Sequence, residues 1–426
     1  MSISSKLYTI TEYGALVRGN AGSQGYQALP VKAFDSLEAF ILANNTGSDT
    51  GNADLLSLSV RRGVGKIISA KNFVGIITTN DGTTIEILPK IGDDIGFTET
   101  RKVFLDMLRT LKNIPFREFN LSHLNSDRMS LLEIFIRMFV GEAQVLVKQG
   151  LKSNYCVACS NERFYKGKLL ISENIKHNLI NRARFFLAYD EFSINRPENR
   201  LIKSTLRYLY NQSRDESNRR AIMLLLPFFD DVEYSNNIEA DLSKCINDRS
   251  MSHYRIVLNW CKVFLLGNSF TAFAGSEVAI ALLFPMEKVF ESYVSSRVRK
   301  VLSDSSIEVR AQDSRYSLFD KPTKAFALRP DIVISDGAST VVMDTKWKML
   351  RNDAKNSGIS QADMYQMYAY GRKYGASTVK LIYPLVSDVS RIINEYMSEK
   401  DGVRVKIEFI DLMNPVQDFV RLSKLN

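Results

Sequence analysis

The spacing of apolar residues changes twice along this chain of 426 residues, and those changes divide it into three parts. Up to residue 97, short runs rich in Val, Ile and Thr alternate with turn residues, which is typical of β-strands. From residue 98, apolar residues recur every three or four positions, which favours helices. Beyond residue 275, helical and strand-like segments alternate, which predicts an α/β sheet. Because this length exceeds what one hydrophobic core supports, we predict an α+β chain with three domains: 1–97, 98–275 and 276–426.

The first part carries a strong hairpin signal. Asn80-Asp81-Gly82 separates two strand-like runs, 73–79 and 83–88, and Asp-Gly in such a position is typical of a tight hairpin turn. Another strand-like run covers 55–60, and a polar loop covers 45–54. We therefore expect a β-rich N-terminal domain, whose role the sequence leaves open.

The second part is expected to be a largely helical domain. A short strand-like piece at 168–171 interrupts apolar stripes of helical spacing, which cover 103–111, 131–139, 200–210 and 251–266.

Overall composition is that of a globular protein with a basic surface. The formal net charge of +9 favours contact with an acidic partner such as nucleic acid. Four cysteines are too few for a disulfide framework in a chain of this size, and Cys156-x-x-Cys159 has no second pair at zinc-site spacing. No apolar run approaches the length of a membrane span and no signal peptide is visible, so we expect no membrane contact and a cytoplasmic location.

In the third part, two aspartates and a lysine on adjacent predicted strands form the most specific chemical pattern. Asp331 follows Arg329-Pro330 at the start of strand 329–335, and Asp344 and Lys346 end strand 340–346. Because side chains alternate along a strand, Asp344 and Lys346 share one face, while Thr345 points to the other, apolar face. The alternative is structural: Asp331 merely starts a strand, and Asp344 and Lys346 are a solvated edge.

Convergence of these three side chains would be sufficient for hydrolysing a phosphodiester. Carboxylates hold Mg²⁺ or Mn²⁺, because these hard ions prefer oxygen ligands. Such a metal acidifies bound water and neutralises charge on phosphate. A lysine orients that water, helps to deprotonate it, or stabilises the charge directly. The pattern predicts Asp331, Asp344 and Lys346 as a catalytic centre, with both aspartates as metal ligands.

Predicted helices on either side of these strands offer further polar groups. On helix 279–302, for which Pro285 is an alternative start, Glu287 and Glu291 are four residues apart and share a face, so each is a candidate acidic ligand. On helix 361–374, which precedes strand 379–383, Gln366 and Tyr370 share a face and are secondary candidates for contacting water or phosphate. The alternative for both pairs is an exposed polar stripe.

Several blocks, in order, resemble the McrC family, the nuclease subunit of McrBC-type, modification-dependent (type IV) restriction systems. Residues 165–169 (YKGKL), with Asn178, resemble a G-x-(K/R) element of that family. Residues 199–206 (NRLIKSTL) resemble its N-R-x-I-K-S-T-L helix, and residues 381–384 (LIYP) resemble its L-I-Y-P strand. The resemblance covers roughly residues 98–426. Phe290-Glu291 resembles an F-E pair of the family, which favours Glu291 over Glu287 as the third metal ligand.

The resemblance implies a PD-(D/E)xK nuclease fold for residues 276–426 and a division of labour. The nuclease chain would cleave double-stranded DNA, while a McrB-like AAA+ hexamer hydrolyses GTP and translocates. Residues 98–275 would dock on that ring and stimulate it, which makes the nearby basic residues partner-binding candidates: Lys166, Lys168, Arg182 and Arg184. Gly63-Val64-Gly65-Lys66 lacks the GxxxxGK[ST] spacing, so we expect no nucleotide to bind to this chain alone.

Two other functions stay open on the sequence: a free-standing restriction endonuclease, and an adaptor that binds DNA or the ring without cutting. Asp331, Asp344 and Lys346 together argue against the adaptor, because a degenerate site would be expected to lack one of them. The family-like middle region favours docking over a free-standing enzyme.

Overall fold

The computed structural model describes residues 7–19, 25–45, 55–92, 95–111, 129–180, 182–245, 249–266, 278–376, 378–386 and 392–425. The chain forms two compact units, one of residues 1–131 with 269–426 and one of residues 132–268. Within the described residues, no helix is long and apolar enough to cross a membrane.

The elements up to residue 111 are β1 (Leu7–Thr11), β2 (Ala15–Arg18), β3 (Gln27–Leu29), α1 (Val31–Asn45), β4 (Leu56–Arg61), β5 (Gly65–Ala70), β6 (Phe73–Thr79), β7 (Thr84–Leu88) and α2 (Phe97–Leu108). They are followed by α3 (Leu131–Gln149), β8 (Asn154–Glu162), β9 (Lys168–Leu169), α4 (Ile171–Asn178), β10 (Phe185–Ser193), α5 (Pro197–Gln212), α6 (Glu216–Leu225), α7 (Ile238–Lys244) and α8 (Arg255–Leu266). The C-terminal elements are β11 (Val278–Pro285), α9 (Met286–Val301), β12 (Glu308–Ala311), β13 (Ser317–Phe319), β14 (Ala325–Ala327), β15 (Ile332–Ser335), β16 (Thr340–Thr345), α10 (Gln361–Tyr374), β17 (Thr378–Pro384), β18 (Glu395–Met397), β19 (Arg404–Ile410) and α11 (Val416–Leu422). Short 3-10 helices cover Leu226–Phe229, Arg249–Tyr254 and Lys355–Gly358.

The predicted strands of the first segment are confirmed, together with the hairpin. β6 and β7 pair antiparallel around Asn80-Asp81-Gly82, and the turn at Gly63 joins β4 to β5, which also pair antiparallel. Helix α1 was not predicted, and it packs its apolar side into the core of this segment through Phe34, Leu37 and Phe40. The predicted loop at 45–54 lies outside the described residues, except for Asn45, which ends α1.

Strand β11 connects the beginning of the chain to its last third. It pairs antiparallel with β6 and completes a four-stranded sheet in the order β1-β7-β6-β11. The prediction of a helix from residue 279 was therefore wrong over residues 279–285, and the helix begins at Met286. A short apolar run fits a buried strand and a buried helix equally well.

The two compact units group residues 1–97 with the C-terminal segment, whereas the sequence assigned them to separate domains. The predicted boundary after residue 97 falls at the start of α2, and the one after residue 275 lies outside the described residues. The roles assigned to the three predicted domains stay predictions.

The second unit is largely helical, as expected, with a three-stranded sheet in the order β8-β10-β9. Gly167 of the YKGKL block has a φ of +69°, and a Cβ there would lie 2.3 Å from the backbone oxygen of Ala188 on β10. Asn199 of the NRLIKSTL block is fully buried, donates to the carbonyl oxygens of Ile194 and Lys152, and accepts from the Tyr254 hydroxyl. Both blocks therefore have internal packing roles.

The C-terminal segment forms a six-stranded mixed α/β sheet in the order β12-β15-β16-β17-β19-β18. β15 and β16 are the predicted antiparallel hairpin, and β16, β17 and β19 run parallel. Helix α10 packs on one face through Met367 and Tyr370, and helix α9 also packs against β16. Because both faces are covered, β16 is an almost continuous buried run.

Gly75 on β6 provides a test of the β6–β11 junction. Its φ is +138°, and a Cβ there would lie 1.9 Å from the backbone oxygen of Leu282. We expect Gly75→Ala to lower the free energy of unfolding by about 1–3 kcal/mol through overpacking, in addition to about 1 kcal/mol for backbone strain. The control is Gly337→Ala, since Gly337 also has positive φ but no atom within 4 Å of its Cβ position. Urea unfolding measures both variants. An equal decrease in the free energy of unfolding for Gly75→Ala and Gly337→Ala would contradict a close β6–β11 contact.

Candidate active site

The sheet brings Asp331 and Asp344 together, as the sequence pattern predicts. The β15–β16 ladder ends with the pair Ile332 and Met343. Asp331 directly precedes Ile332, and Asp344 directly follows Met343, so the two aspartates are neighbours at the same end of the ladder. Asp344 is only 2% exposed. The alternative of a solvated edge is therefore wrong for Asp344.

Asp331 is fixed by the strand beside it. Its Oδ2 accepts from the backbone N–H of Thr345 at 2.8 Å and from the Thr345 hydroxyl at 2.7 Å. The strand alternation assigned Thr345 to the face away from the site, and that part of the prediction was wrong, since its hydroxyl orients the Asp331 carboxylate.

Lys346 lies among the polar groups of β16 and α10. Its Nζ is 2.7 Å from Asp344 Oδ2 and 3.8 Å from Asp363 Oδ1, and it donates to Gln366 Oε1 at 3.2 Å. Gln366 Nε2 in turn donates to the Tyr370 hydroxyl at 2.7 Å. The structure thus brings four predicted residues into one chain of contacts: Asp344, Lys346, Gln366 and Tyr370.

The electrostatics of the site follow from burial of like charges. Burial raises the pKa of Asp344, and the neighbouring Asp331 carboxylate raises it further. Burial also raises the pKa of Asp331, against the opposing effect of the Thr345 hydrogen bonds. Burial alone lowers the pKa of Lys346, but the carboxylates of Asp344, Asp363 and Asp331 together outweigh this, so the net shift is upward and the lysine carries a proton at neutral pH.

Glu291 and Glu287 have different surroundings. Glu291 Oε1 accepts a hydrogen bond from Gln312 Nε2, which also lies 3.3 Å from Asp331 Oδ1. Burial raises the pKa of Glu291 to about 7, and the charge of Asp331 adds to this. Glu287 is exposed and accepts from Asn72 at 3.3 Å instead. Within the described ranges, no three His, Cys, Asp or Glu side chains cluster closely enough to share one metal ion.

Gln312 is a site residue that the sequence reasoning missed. Its side-chain amide bridges Glu291 and Asp331, and its backbone N–H donates to the carbonyl oxygen of Asp331 at 2.9 Å. It also has a φ of +53°, which is uncommon for a residue with a side chain. No local sequence signal marks it, because the bridge depends on the pairing of β12 with β15.

The N-terminal sheet reaches the site through Glu12. This carboxyl follows β1, is 2% exposed, and accepts from Trp347 Nε1 at 2.9 and 3.1 Å. Trp347 directly follows Lys346, and its ring packs edge-on against Phe290, the neighbour of Glu291. The end of β16 is therefore linked to the first strand of the chain through Trp347, and α9 is linked to the same tryptophan through Phe290.

The basic partner-binding candidates all lie in the second unit. Lys166 places its Nζ 3.6 Å from the centroid of the Tyr189 ring and 3.4 Å from Glu162. The side chains of Lys168, Arg182 and Arg184 are exposed.

The Glu12–Trp347 contact predicts a pH-dependent stability. Burial raises the pKa of Glu12 from 4.5 to about 7, against the opposing effect of hydrogen bonds from Lys90 and Trp347. Between these two values the unfolded chain releases this proton while the folded chain keeps it, so stability falls as pH rises. Relative to Glu12→Gln, the wild-type free energy of unfolding should fall by up to about 3 kcal/mol across this interval.

Urea unfolding of both proteins at a series of pH values measures this difference. The difference in free energy of unfolding should stop changing with pH above the pKa of Glu12 in the folded protein, since Glu12 is then ionised in both the folded and the unfolded chain. A difference that stays constant from acidic to neutral pH would contradict the assigned burial of Glu12.

Comparison with known proteins places the chain in a family. Residues 68–384 match the profile of the McrBC 5-methylcytosine restriction system component family. One similar solved structure is the refined half-complex from the tetradecameric assembly of Thermococcus gammatolerans McrB AAA+ hexamers with bound McrC: the TM-score is 0.64 and the identity 17%, covering 97% of this chain and 98% of that chain. A second is the cryo-EM structure of the Thermococcus gammatolerans McrBC complex, with a TM-score of 0.49 and 18% identity over 72% of this chain and 89% of that chain. No curated relative matches the sequence.

The matched profile spans most of the chain and agrees with the resemblance seen in its sequence, so this protein belongs to the McrBC 5-methylcytosine restriction system component family.

Proposed function

We propose that this chain is the DNA-cleaving subunit of a GTP-driven McrBC-like restriction complex, a Mg²⁺-dependent endonuclease with a C-terminal domain of the PD-(D/E)xK type. The observation that carries the proposal is the convergence of Asp331, Asp344 and Lys346 at one end of the β15–β16 pair. The class of substrate is double-stranded DNA, and the family description directs the search to DNA that carries 5-methylcytosine.

The donor set fits Mg²⁺, or Mn²⁺ in its place. Mg²⁺ is usually held by one or two carboxylates and completes its shell with water and substrate phosphate, so Asp331 and Asp344 suffice. The repulsion that raises the pKa of Asp344 is the kind that a divalent cation relieves. A third ligand from Glu291 stays a proposal, because its nearest partner is the Gln312 amide. When bound, the ion would activate a water molecule and neutralise charge on the phosphate.

The side chains around the two aspartates have separate roles in the proposed reaction. The neighbouring carboxylates raise the pKa of Lys346, so it acts on the reacting phosphate as a positive charge and a hydrogen-bond donor rather than as a base. Gln366 receives a hydrogen bond from Lys346 and donates one to Tyr370, which fixes the direction of the Lys346 side chain. Thr345 and Gln312 hold Asp331 at its two oxygens.

The first test is cleavage by site variants. Asp331→Asn and Asp344→Asn keep the side-chain shape and remove the charge, and Lys346→Gln removes the charge with a side chain one atom shorter. Each should lower the cleavage rate at least about a hundredfold. The assay is cutting of a 5-methylcytosine plasmid by the purified complex with GTP and Mg²⁺, with Ca²⁺ and a chelator as reactions expected to fail. Lys400→Gln, at an exposed turn, is the matched control. Undiminished cutting by folded Asp344→Asn would exclude this site as the nuclease centre.

The proposed partner is a McrB-like AAA+ GTPase hexamer, which this chain would bind and stimulate. Helix α4 of the second unit supports a docking role, because Ile171 and Ile175 on the helix and Leu179 directly after it recur every four residues and are all exposed. Three exposed basic residues flank this apolar face along the chain: Lys168 precedes α4, and Arg182 and Arg184 follow it. Apolar anchors with a charged rim are typical of protein interfaces.

Docking and cutting should be separable. Asp344→Asn should stimulate the GTPase as the wild type does, whereas the double variant Ile175→Glu/Leu179→Glu should lower the apparent affinity for the ring roughly tenfold or more. Arg184→Glu should have a smaller effect that weakens with salt. GTPase rates of the motor titrated with each protein measure this, with Val60→Glu, an exposed position on β4, as the control. Full stimulation by the α4 variants would move docking to another surface.

A free-standing endonuclease and a non-cleaving adaptor are the alternatives. Cleavage without the GTPase would identify the first. Normal GTPase stimulation without any cleavage by the wild-type complex would identify the second.

A further inference from the structure

A small hairpin just upstream of Asp331 exposes two aromatic rings. β13 and β14 form a two-stranded sheet of their own, which we call the 317–327 hairpin. Phe319 is 56% exposed and Phe326 is 73% exposed, and their rings meet edge-to-face with centroids 6.0 Å apart. Exposed phenylalanines arranged as a pair are costly in water, which points to a bound partner.

The hairpin is also rich in positive charge. Lys321, Lys324 and Arg329 are exposed, and none of the three has an ion-pair partner in the described part of the chain. The one acidic residue of the turn, Asp320, is paired with Lys373 of α10 at 2.9 Å. Unpaired cations around apolar rings fit a polyanion that also offers flat apolar surfaces.

The base of the hairpin packs against helix α10, which also contributes to the candidate active site. The backbone N–H of Leu328 donates to the backbone carbonyl oxygen of Tyr316 at 2.9 Å. The Tyr316 ring packs edge-on against Tyr374 of α10. The same helix carries Gln366, which receives the Lys346 hydrogen bond. The hairpin and the catalytic lysine therefore share one supporting helix.

We infer that the 317–327 hairpin is a DNA-contacting wedge, in which Phe319 and Phe326 stack on or between bases while Lys321, Lys324 and Arg329 contact phosphates. The inference rests on the proposed nuclease function and adds to it a residue-level substrate contact. Phe326 and Asp331 are five residues apart, a span of at most about 17 Å in extended chain, or about five steps of 3.4 Å along one DNA strand. Apolar wedges of this kind unstack base steps and bend the duplex.

The test uses the full-length chain and a short duplex that contains 2-aminopurine, whose fluorescence rises when it is unstacked. Binding is measured by fluorescence anisotropy in a chelator, so that no DNA is cut. The double variant Phe319→Ala/Phe326→Ala should bind roughly tenfold or more weakly and should lose the rise in 2-aminopurine fluorescence. Lys321→Gln/Lys324→Gln should instead keep that rise and lower the salt dependence of binding by about 0.9 per lost phosphate contact.

Matched control variants test whether loss of any exposed aromatic ring or any exposed charge weakens DNA binding. Further outcomes distinguish failure of the wedge from failure of the proposed nuclease function. Phe97→Ala removes another exposed aromatic side chain of the same unit, and Lys400→Gln removes another exposed charge; both should bind DNA as the wild type does. Wild-type levels of binding and fluorescence in the phenylalanine variant would overturn the wedge. Intact DNA binding with lost GTPase stimulation would also overturn it and would assign the rings to the motor. A wild-type chain that neither binds nor cuts DNA, alone or with the motor, would overturn the nuclease proposal itself.

Discussion

Asp344 carries a carboxylate at 2% exposure on a central strand of the six-stranded sheet, and its charge has to be balanced by groups that the fold supplies. An isolated buried carboxylate is strongly disfavoured, and here a second one, Asp331, lies beside it. Lys346 provides the main compensation at 2.7 Å. The positions of Thr345, Gln312 and Gln366 follow from the same requirement, since each donates to, or accepts from, one of these three charged groups. An arrangement of this kind is retained at a functional site more readily than in a structural core.

The first strand of the chain also contributes to holding these charged groups in place. Glu12 and Trp347 connect β1 to the residue after Lys346, and β11 continues from the N-terminal sheet directly into α9. A site whose charges are this close together tolerates little displacement. The N-terminal sheet, whose role the sequence left open, thus supports the end of β16 and the start of α9 from one side.

The parts of the fold that could be predicted are those with local signals. The β15–β16 strands, α10 and the β6–β7 hairpin follow from alternation, helical spacing and turn chemistry within their own segments. Strand β11 was mistaken for helix because its run of apolar residues has no period to distinguish the two. Gln312 and Glu12 could not be found this way: each acts through a partner that the sheet pairing supplies, 19 residues away for Asp331 and 335 residues away for Trp347.

The sequence blocks that carried the family resemblance illustrate a related limit. In the second unit, Gly167, Asn178 and Asn199 are held by close backbone approach or by buried hydrogen bonds within that unit. Their chemistry is satisfied internally, so it does not point to a partner. The exposed residues of α4, together with Lys168 near the end of the first block and Arg182 and Arg184 between the blocks, are the ones with side chains free to reach another molecule. Family-like blocks therefore identify the architecture of this unit, and the proposed contact with a partner belongs to the surface beside them.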